Sequence, residues 1–278
     1  VPGGLPHGRA EFRLRNNSQP IMTIHEPGGK IMSEPVWNKF LTERDKEVFS
    51  AAGYGQRAGF GERPAIIVID VNYNFTGDKP EPILESIKRW PNSCGEDGWE
   101  SMRHIKKLLD AARKKGLPVI YTTSAMRADG WDRGSWAWKN NRTGEWESNR
   151  AGSGSNLDGN DINPEIAPEP QDIVIKKLKP SGFHGTPLNS FLNNLNADSI
   201  LMVGTTTSGC VRATVIDGFS ENYRITLVEE GCFDRSEASH AINLCDMNAK
   251  YADIASTEEV IEYIEGLPDD LFDLPKGV

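Results

Sequence analysis

Cys210 occupies a position at which a reactive thiol can be expected. An apolar run from Ile200 to Val203 ends at Gly204, small polar residues follow up to Gly209, and a helical pattern opens at Cys210. The first N–H groups of a helix have no partner inside it, and the helix dipole favours an anion there. We therefore expect a thiol with a lowered pKa and nucleophilic character. The alternative is a small apolar residue that only begins a helix.

Two charged side chains end other apolar runs. Asp70 follows the run 65–69, and Lys177 ends the run 172–177. Ligands of open parallel sheets bind at the carboxyl ends of the strands, so Asp70, Lys177 and Cys210 are expected to project into one crevice. The carboxylate could take the thiol proton, and the ammonium would keep the carboxylate ionised and favour the thiolate. The three residues predict catalysis by a cysteine, although Asp70 could instead cap a turn.

Apolar strands alternate with amphipathic helices around these residues. The pattern predicts an α/β fold, a doubly wound six-stranded parallel sheet with helices on both faces. The β-branched run 65–69 is typical of a strand that is buried on both sides. The predicted strands cover 65–69, 117–122, 172–177, 200–204, 224–228 and 251–255. The predicted helices cover 35–52 (capped by Ser33), 98–115, 186–195, a segment opening at Cys210, 236–247 and 257–265.

The domain organisation follows from composition and periodicity. Residues 1–21 show no periodicity and are expected to be an added tail, and 22–62 form a helical extension and linker before one domain at 63–278. Within that domain, 124–170 is a long irregular segment with tryptophans at 131, 136, 138 and 146. Segments of this length are usually lids or interface arms, and the tryptophans favour an ordered, buried role.

Charge and cysteine content exclude several classes of function. The chain of 278 residues has 31 basic and 40 acidic residues, and its net charge of −9 argues against a nucleic-acid partner. No run of 18 apolar residues occurs, so no membrane span is predicted. Four cysteines without a C-x-x-C pair indicate neither a zinc site nor a disulfide scaffold. Free thiols favour a cytoplasmic location.

With these motifs in place, residues 63–265 resemble the isochorismatase-like cysteine hydrolases. Segments 71–73, 234–238 and 250–253 are similar to those of family members that hydrolyse N-carbamoyl amino acids. The family likeness itself is carried by Ile69-Asp70, by Lys177-x-x-x-Ser181-Gly182-Phe183-x-x-Thr186-x-Leu188 and by Val203-Gly204-x-x-x-x-x-Cys210-Val211.

The resemblance implies a role for each matching residue of the triad. Cys210 would be the nucleophile, Asp70 the general base and later acid, and Lys177 the third member. Lys179 is the rival lysine, and Lys177 is favoured because it stands four residues before Ser181, as in the family motif.

The resemblance also implies an oxyanion hole and a substrate site. Backbone N–H groups of Thr206 and Cys210 would hold the oxyanion, with a cis peptide bond between Thr205 and Thr206. Arg235 would hold a substrate carboxylate, for which a guanidinium is suited, although it could instead form a structural ion pair. The remaining substrate-binding residues would be Asn72, Phe75 and Thr207.

The implied reaction is hydrolysis of an N-carbamoyl amino acid through a covalent cysteine intermediate, with release of ammonia. The resemblance implies no cofactor and no metal, and it implies a homo-oligomer, a tetramer in the family. Another ureido compound, a biuret-type compound or a primary amide would suit the same triad.

Other functional hypotheses remain. His184 or His240 could serve as the base of a papain-like Cys–His pair. Metal-dependent nicotinamidases carry histidines after the first strands, whereas the only histidine here between residues 26 and 183 is His104. A non-catalytic binding module on the same fold is the alternative from a different class.

Overall fold

Six parallel strands form one sheet, as the sequence predicts. A computed structural model describes residues 34–140 and 157–277 of the chain. The strands are β1 (Pro64–Ile69), β2 (Val119–Ser124), β3 (Ile173–Lys177), β4 (Ser199–Thr205), β5 (Arg224–Phe233) and β6 (Asp253–Ala255). Their order across the sheet is β3-β2-β1-β4-β5-β6, and every neighbouring pair is parallel. The chain therefore winds outward twice from the central pair β1–β4, which confirms the doubly wound α/β fold.

Helices connect the strands. The helices and the sheet belong to one compact unit, Val36–Val278. The described helices are α1 (Glu43–Ala52), α2 (Tyr73–Thr76), α3 (Ile83–Ser86), α4 (Glu96–Lys115), α5 (Trp136–Lys139), α6 (Leu188–Asn194), α7 (Arg212–Ser220), α8 (Glu237–Lys250) and α9 (Thr257–Gly266).

The two faces of the sheet carry two separate hydrophobic clusters. Alternate residues of β1 belong to opposite clusters, with Ile66 and Val68 on one face and Ile67 and Ile69 on the other. Helices α4 and α9 cover the first face, and α6, α7 and α8 cover the second. Burial on both sides explains why β1 is apolar along its whole length.

Several predicted boundaries differ from the structure by a few residues, and three of the differences have a clear physical reason. The first predicted helix begins only at Glu43, because Thr42 and Asp45 form a capping box that fixes its start; Ser33 lies outside the described residues. Strand β5 runs on to Phe233, since its second half pairs with the end of β4 after a register shift. The helix predicted to open at Cys210 begins at Arg212, after the π turn Thr207–Val211.

Candidate active site

Asp70 and Lys177 form a buried ion pair at the carboxyl ends of β1 and β3. Lys177 Nζ lies 2.7 Å from Asp70 Oδ2, and both side chains are 3% exposed. Lys177 Nζ also donates a hydrogen bond to the Lys179 carbonyl at 3.1 Å. Burial alone would lower the pKa of Lys177, but the negative charge of Asp70 outweighs it and the pKa is raised. The lysine that pairs with Asp70 is therefore Lys177, and Lys179 supplies only its backbone carbonyl to the pair.

A second set of contacts fixes the Asp70 carboxylate. Thr122 Oγ1 donates to Asp70 Oδ1 at 2.8 Å, and the Asp70 N–H donates to the Thr122 carbonyl at 3.1 Å. The φ angle of Asp70 is 53°, in the left-handed region, which costs roughly 1–3 kcal/mol for a non-glycine residue. This conformation turns the chain sharply at the end of β1. The bonds to Thr122 and Lys177 hold the carboxylate facing the crevice.

Cys210 lies in the π turn that links β4 to α7. The Thr206 carbonyl accepts from the N–H groups of Gly209 and Val211, at 2.9 and 3.2 Å, and these bonds close the turn. The Thr205–Thr206 peptide bond is cis. Gly204 lies against β1 so closely that a Cβ atom there would stand 2.2 Å from the Ile69 carbonyl oxygen. The π turn that carries Cys210 is thereby brought next to Asp70.

The Cys210 thiol lines the same pocket as Asp70 and Lys177, and both charges act on its pKa. Burial, and after it the negative charge of Asp70, raise the pKa of Cys210 to about 12, while Lys177 acts in the opposite direction. The expected lowering of this pKa is wrong. The helix-terminus argument considers only the local backbone, whereas burial and a carboxylate from β1 dominate. In the resting site the sulfur carries its proton beside a carboxylate that can accept it.

Side chains from β5 and α8 hold the π turn in place. The carboxylate of Asp234, which follows β5, accepts from the Ser208 N–H at 2.8 Å and from Ser208 Oγ at 2.6 Å. His240 Nδ1 lies 2.8 Å from Thr207 Oγ1, and burial lowers the pKa of this histidine. Sequence reasoning missed Asp234 as a support for the turn, and the acidic residue directly after an apolar run was the available signal.

The two histidines proposed as alternative bases lie elsewhere. His240 is bonded to Thr207, and His184 is exposed in the turn after β3. Among the described residues on the pocket wall, Asp70 is the potential base whose charge acts on Cys210.

A pocket of about 240 Å³ opens above the triad. Thr206, Cys210, Phe75 and Arg235 line its wall. Arg235 reaches it from the loop after β5, and its Nη1 donates to the Asn92 carbonyl at 3.0 Å.

Two of the four residues expected to bind substrate are not on the pocket wall. Thr207 is 0% exposed and bonded to His240, and Asn72 is 1% exposed with its amide donating to Thr123 Oγ1 at 3.1 Å. Because neither side chain has surface to offer, the prediction of substrate contact is corrected for both. Thr207 belongs to the π turn Thr207–Val211 and Asn72 to the turn after β1, and neither lines the pocket.

The first part of the long segment 124–170 forms an arm over the pocket. Met126, Arg133, Trp136 and Asn140 line the wall, and Trp136 Nε1 donates to the Leu178 carbonyl at 2.9 Å. The expectation that the tryptophans are buried is wrong for two of them, since Trp131 and Trp138 are 84% and 76% exposed. Trp146 lies outside the described residues.

Among residues 34–140 and 157–277, no group of three or more His, Cys, Asp or Glu side chains is arranged to hold a metal ion. No helix in this part of the chain is both long and apolar enough to cross a bilayer.

Comparison with known proteins agrees with this geometry. The Isochorismatase domain matches residues 64–259. The chain is 32% identical over 237 residues to N-carbamoylsarcosine amidase of Arthrobacter sp., an alignment that spans 84% of this chain and 83% of that protein. It is 25% identical over 217 residues to maleamate amidohydrolase of Pseudomonas putida, covering 77% and 92% of the two chains.

Solved structures share the fold. A cysteine hydrolase from Pseudomonas syringae superposes with a TM-score of 0.64 at 23% identity, covering 76% of this chain and 97% of that one. N-carbamoylsarcosine amidase from Thermoplasma acidophilum gives a TM-score of 0.53 at 23% identity, covering 70% and 97%. By its domain match and by its identity to an amidase over most of its length, this chain belongs to the isochorismatase family and is a hydrolase of amide C–N bonds.

Proposed function

We propose that this protein releases ammonia from an N-carbamoyl amino acid, with Cys210 as nucleophile. The observation that carries the proposal is that Cys210 lines one pocket together with the buried Asp70–Lys177 ion pair. A thiol with a raised pKa needs a base in contact at the moment of attack, and the ionised carboxylate is that base. Lys177 keeps a compensating charge beside the carboxylate.

The proposed reaction has two stages. Asp70 takes the proton from Cys210 Sγ while the sulfur attacks the carbamoyl carbon, and the N–H groups of Thr206 and Cys210 hold the resulting oxyanion. The C–N bond then breaks, the amide nitrogen takes the proton back from Asp70, and ammonia leaves. Asp70 next removes a proton from water, which attacks the carbonyl carbon and frees the Cys210 thiol. The carbamic acid formed this way decomposes to carbon dioxide and the free amine.

The position of Arg235 supports the proposal that the substrate carries a carboxylate. It reaches the pocket wall from the strand next to β4, and a guanidinium can bind a carboxylate with two parallel hydrogen bonds. The likeness to N-carbamoylsarcosine amidase points to the same substrate class. In Arg235→Lys the positive charge remains but bidentate hydrogen bonding to a carboxylate is lost, so we expect kcat/KM to fall mainly for carboxylated substrates. An equal loss on a neutral amide would assign Arg235 a structural role.

Ammonia release from a substrate panel tests the proposal. The panel contains N-carbamoylsarcosine, N-carbamoylglycine, a ureido acid without an α-carboxylate, biuret, and a primary amide acid such as maleamate. We expect turnover of the N-carbamoyl amino acids and its loss in Cys210→Ala, whose folding is checked by circular dichroism. Turnover of the primary amide acid alone would move the assignment to that class. Binding without turnover of any member would favour a non-catalytic binding module.

The location and assembly of the protein are proposals as well. All four cysteines are free thiols, which supports a reducing, cytoplasmic compartment. The family resemblance supports a homotetramer, and light scattering coupled to size-exclusion chromatography measures it directly. We propose small molecules as its ligands, and neither nucleic acid nor membrane as a partner.

A further inference from the structure

The hydroxyl of Thr214 links the backbone of Cys210 to the segment that follows β3. Thr214 lies in the first turn of α7, and its side chain is 0% exposed. Its Oγ1 donates to the Cys210 carbonyl at 2.7 Å and accepts from the Gly182 N–H at 2.9 Å. Because a carbonyl can only accept and an N–H can only donate, the directions of both hydrogen bonds are fixed. The hydroxyl therefore gives its proton to one segment and a lone pair to the other.

The bond from Gly182 distinguishes Thr214 from an ordinary helical threonine. A threonine or serine in a helix often donates to the carbonyl four residues earlier, so the bond to Cys210 alone would carry no inference. Ser220 makes such a bond at the other end of α7, to the Ile216 carbonyl at 2.7 Å. At Thr214 the same oxygen also accepts from a buried backbone N–H that is 32 residues away in the chain. Thr214 thus joins two separate segments of the protein.

Gly182 belongs to the segment that also fixes Lys177. Lys177 Nζ donates to the Lys179 carbonyl at 3.1 Å, and the Thr186 hydroxyl donates to the Gly182 carbonyl. A Cβ atom on Gly182 would stand 3.3 Å from Thr214 Cγ2, which is closer than most Cβ contacts, so glycine lets the two segments approach. The motif that begins at Lys177 therefore supplies both the lysine of the ion pair and the N–H that Thr214 accepts.

On its other side, the link continues to the residue after the cis peptide bond. The Cys210 carbonyl shares a peptide unit with the Val211 N–H, which donates to the Thr206 carbonyl at 3.2 Å. Hydrogen bonds thus run without a break from Gly182 through Thr214 and this peptide unit to Thr206. Bonds in such a chain polarise and strengthen one another. The chain connects both residues whose N–H groups are proposed to hold the oxyanion to the segment after β3.

We infer that Thr214 is a positioning residue that holds Cys210 and Thr206 in place relative to Lys177 during the reaction. This inference rests on the proposed function. Thr214 does not line the pocket, so it acts through the backbone of the residues that do. A displacement of about 1 Å at a reacting group can lower a rate by about 100-fold. Loss of the hydroxyl should therefore lower kcat, while KM, which depends on the wall of the pocket, stays almost unchanged.

The test uses two pairs of proteins that differ only in this hydroxyl. Thr214→Val has the shape of the wild type without the hydroxyl, and Thr214→Ala differs from Thr214→Ser in the same way. Ammonia release is measured on the member of the substrate panel that the wild type hydrolyses best. We expect kcat to fall about 10- to 100-fold in Thr214→Val and in Thr214→Ala, with little change in KM. Thr214→Ser keeps both hydrogen bonds and should retain most of the wild-type kcat.

A matched control removes the same kind of bond from the same helix. Ser220→Ala deletes the bond to the Ile216 carbonyl at the exposed end of α7 and should keep the wild-type kcat and KM. Each rate is divided by the concentration of folded protein, measured by circular dichroism, so that a loss of stability alone does not lower kcat. If Thr214→Val does not fold, the serine and alanine variants give the comparison, since both lack the methyl group.

The failure of this inference and that of the proposed function give different results. Equal kcat values within the serine and alanine pair, a wild-type kcat in Thr214→Val, or a loss confined to KM would overturn the positioning role, with Cys210→Ala still inactive. Ammonia from no member of the panel with the wild-type protein would overturn the proposed function and the inference with it.

Discussion

Replacing Asp70 by asparagine should slow catalysis and make Cys210 more acidic at the same time. The carboxylate is the proposed base, so its loss should lower kcat by about 10²- to 10⁴-fold. It is also the second cause of the raised pKa of Cys210, after burial. The asparagine side chain would keep the shape of the aspartate without its negative charge. With Lys177 still beside the sulfur, the thiolate becomes easier to form.

The size of the expected fall in the pKa of Cys210 follows from the structure. The pKa of Cys210 rises from 9.0 to about 12, which corresponds to roughly 4 kcal/mol in favour of the protonated thiol. A unit charge at hydrogen-bonding distance contributes up to ~4 kcal/mol at an effective dielectric constant of 20. Because burial remains in the variant and is the larger cause, we expect the pKa to fall by about one to two units. Below the pKa, this raises the thiolate population about 10- to 100-fold.

Alkylation by iodoacetamide, followed by mass spectrometry of the Cys210 peptide, measures the effect. The rate is recorded from pH 7 to 11 for the wild type, for Asp70→Asn and for Asp110→Asn, which neutralises an exposed carboxylate on α4. Burial raises the pKa of Cys94 and Cys232 to about 12 as well, so these peptides serve as internal references. We expect faster labelling only in Asp70→Asn, with ammonia release greatly reduced. Slower labelling, or an unchanged pH profile, would refute the assignment of the raised pKa to Asp70.

The remaining predictions concern the Asp70–Lys177 ion pair, the π turn that carries Cys210, and the dependence of activity on metal ions. Lys177→Met leaves the Asp70 carboxylate buried without its partner and should lower the free energy of unfolding, measured in urea, by about 3–5 kcal/mol. The double variant Asp70→Asn/Lys177→Met should regain most of that stability. A double variant no more stable than Lys177→Met would argue against coupling between Asp70 and Lys177. Asp234→Asn weakens the hydrogen bonds to Ser208 and should lower kcat about tenfold with little change in KM. A change in KM alone would contradict the role of Asp234 in holding the π turn that carries Cys210. Incubation with EDTA should leave activity unchanged, since the proposed steps use only side chains and backbone N–H groups. Complete loss of activity that zinc or iron reverses would contradict the metal-free mechanism.

The fold and the position of the triad could be predicted because both depend on local patterns. Each of Asp70, Lys177 and Cys210 ends or follows an apolar strand, and parallel strands bring such residues to one edge of the sheet. The pKa of Cys210 could not be predicted, because the charge that helps to raise it comes from a residue 140 positions earlier.

The contacts of side chains that are buried near the pocket could not be predicted from the sequence either. The resemblance implies that Thr207 and Asn72 bind substrate, but both side chains are buried inside the protein. Their burial depends on contacts with His240 and Thr123, which are distant in sequence, so a local motif could not reveal it. Asp234 was missed for a similar reason, since its contact with Ser208 depends on how far β5 extends.

The strand order has a consequence for the time course of synthesis. Strand β1 pairs with β2 and with β4, and Pro64 is in register with Ser199, about 135 residues later in the chain. At translation rates of about 5–20 residues per second, roughly 7–27 s pass between the appearance of one edge of β1 and that of its partner. During this interval an apolar edge stays unpaired, and such edges favour aggregation. We therefore expect newly made chains to depend on chaperones or low temperature until β4 has left the ribosome, and soluble yield in a cell-free system with and without added chaperones would measure that dependence.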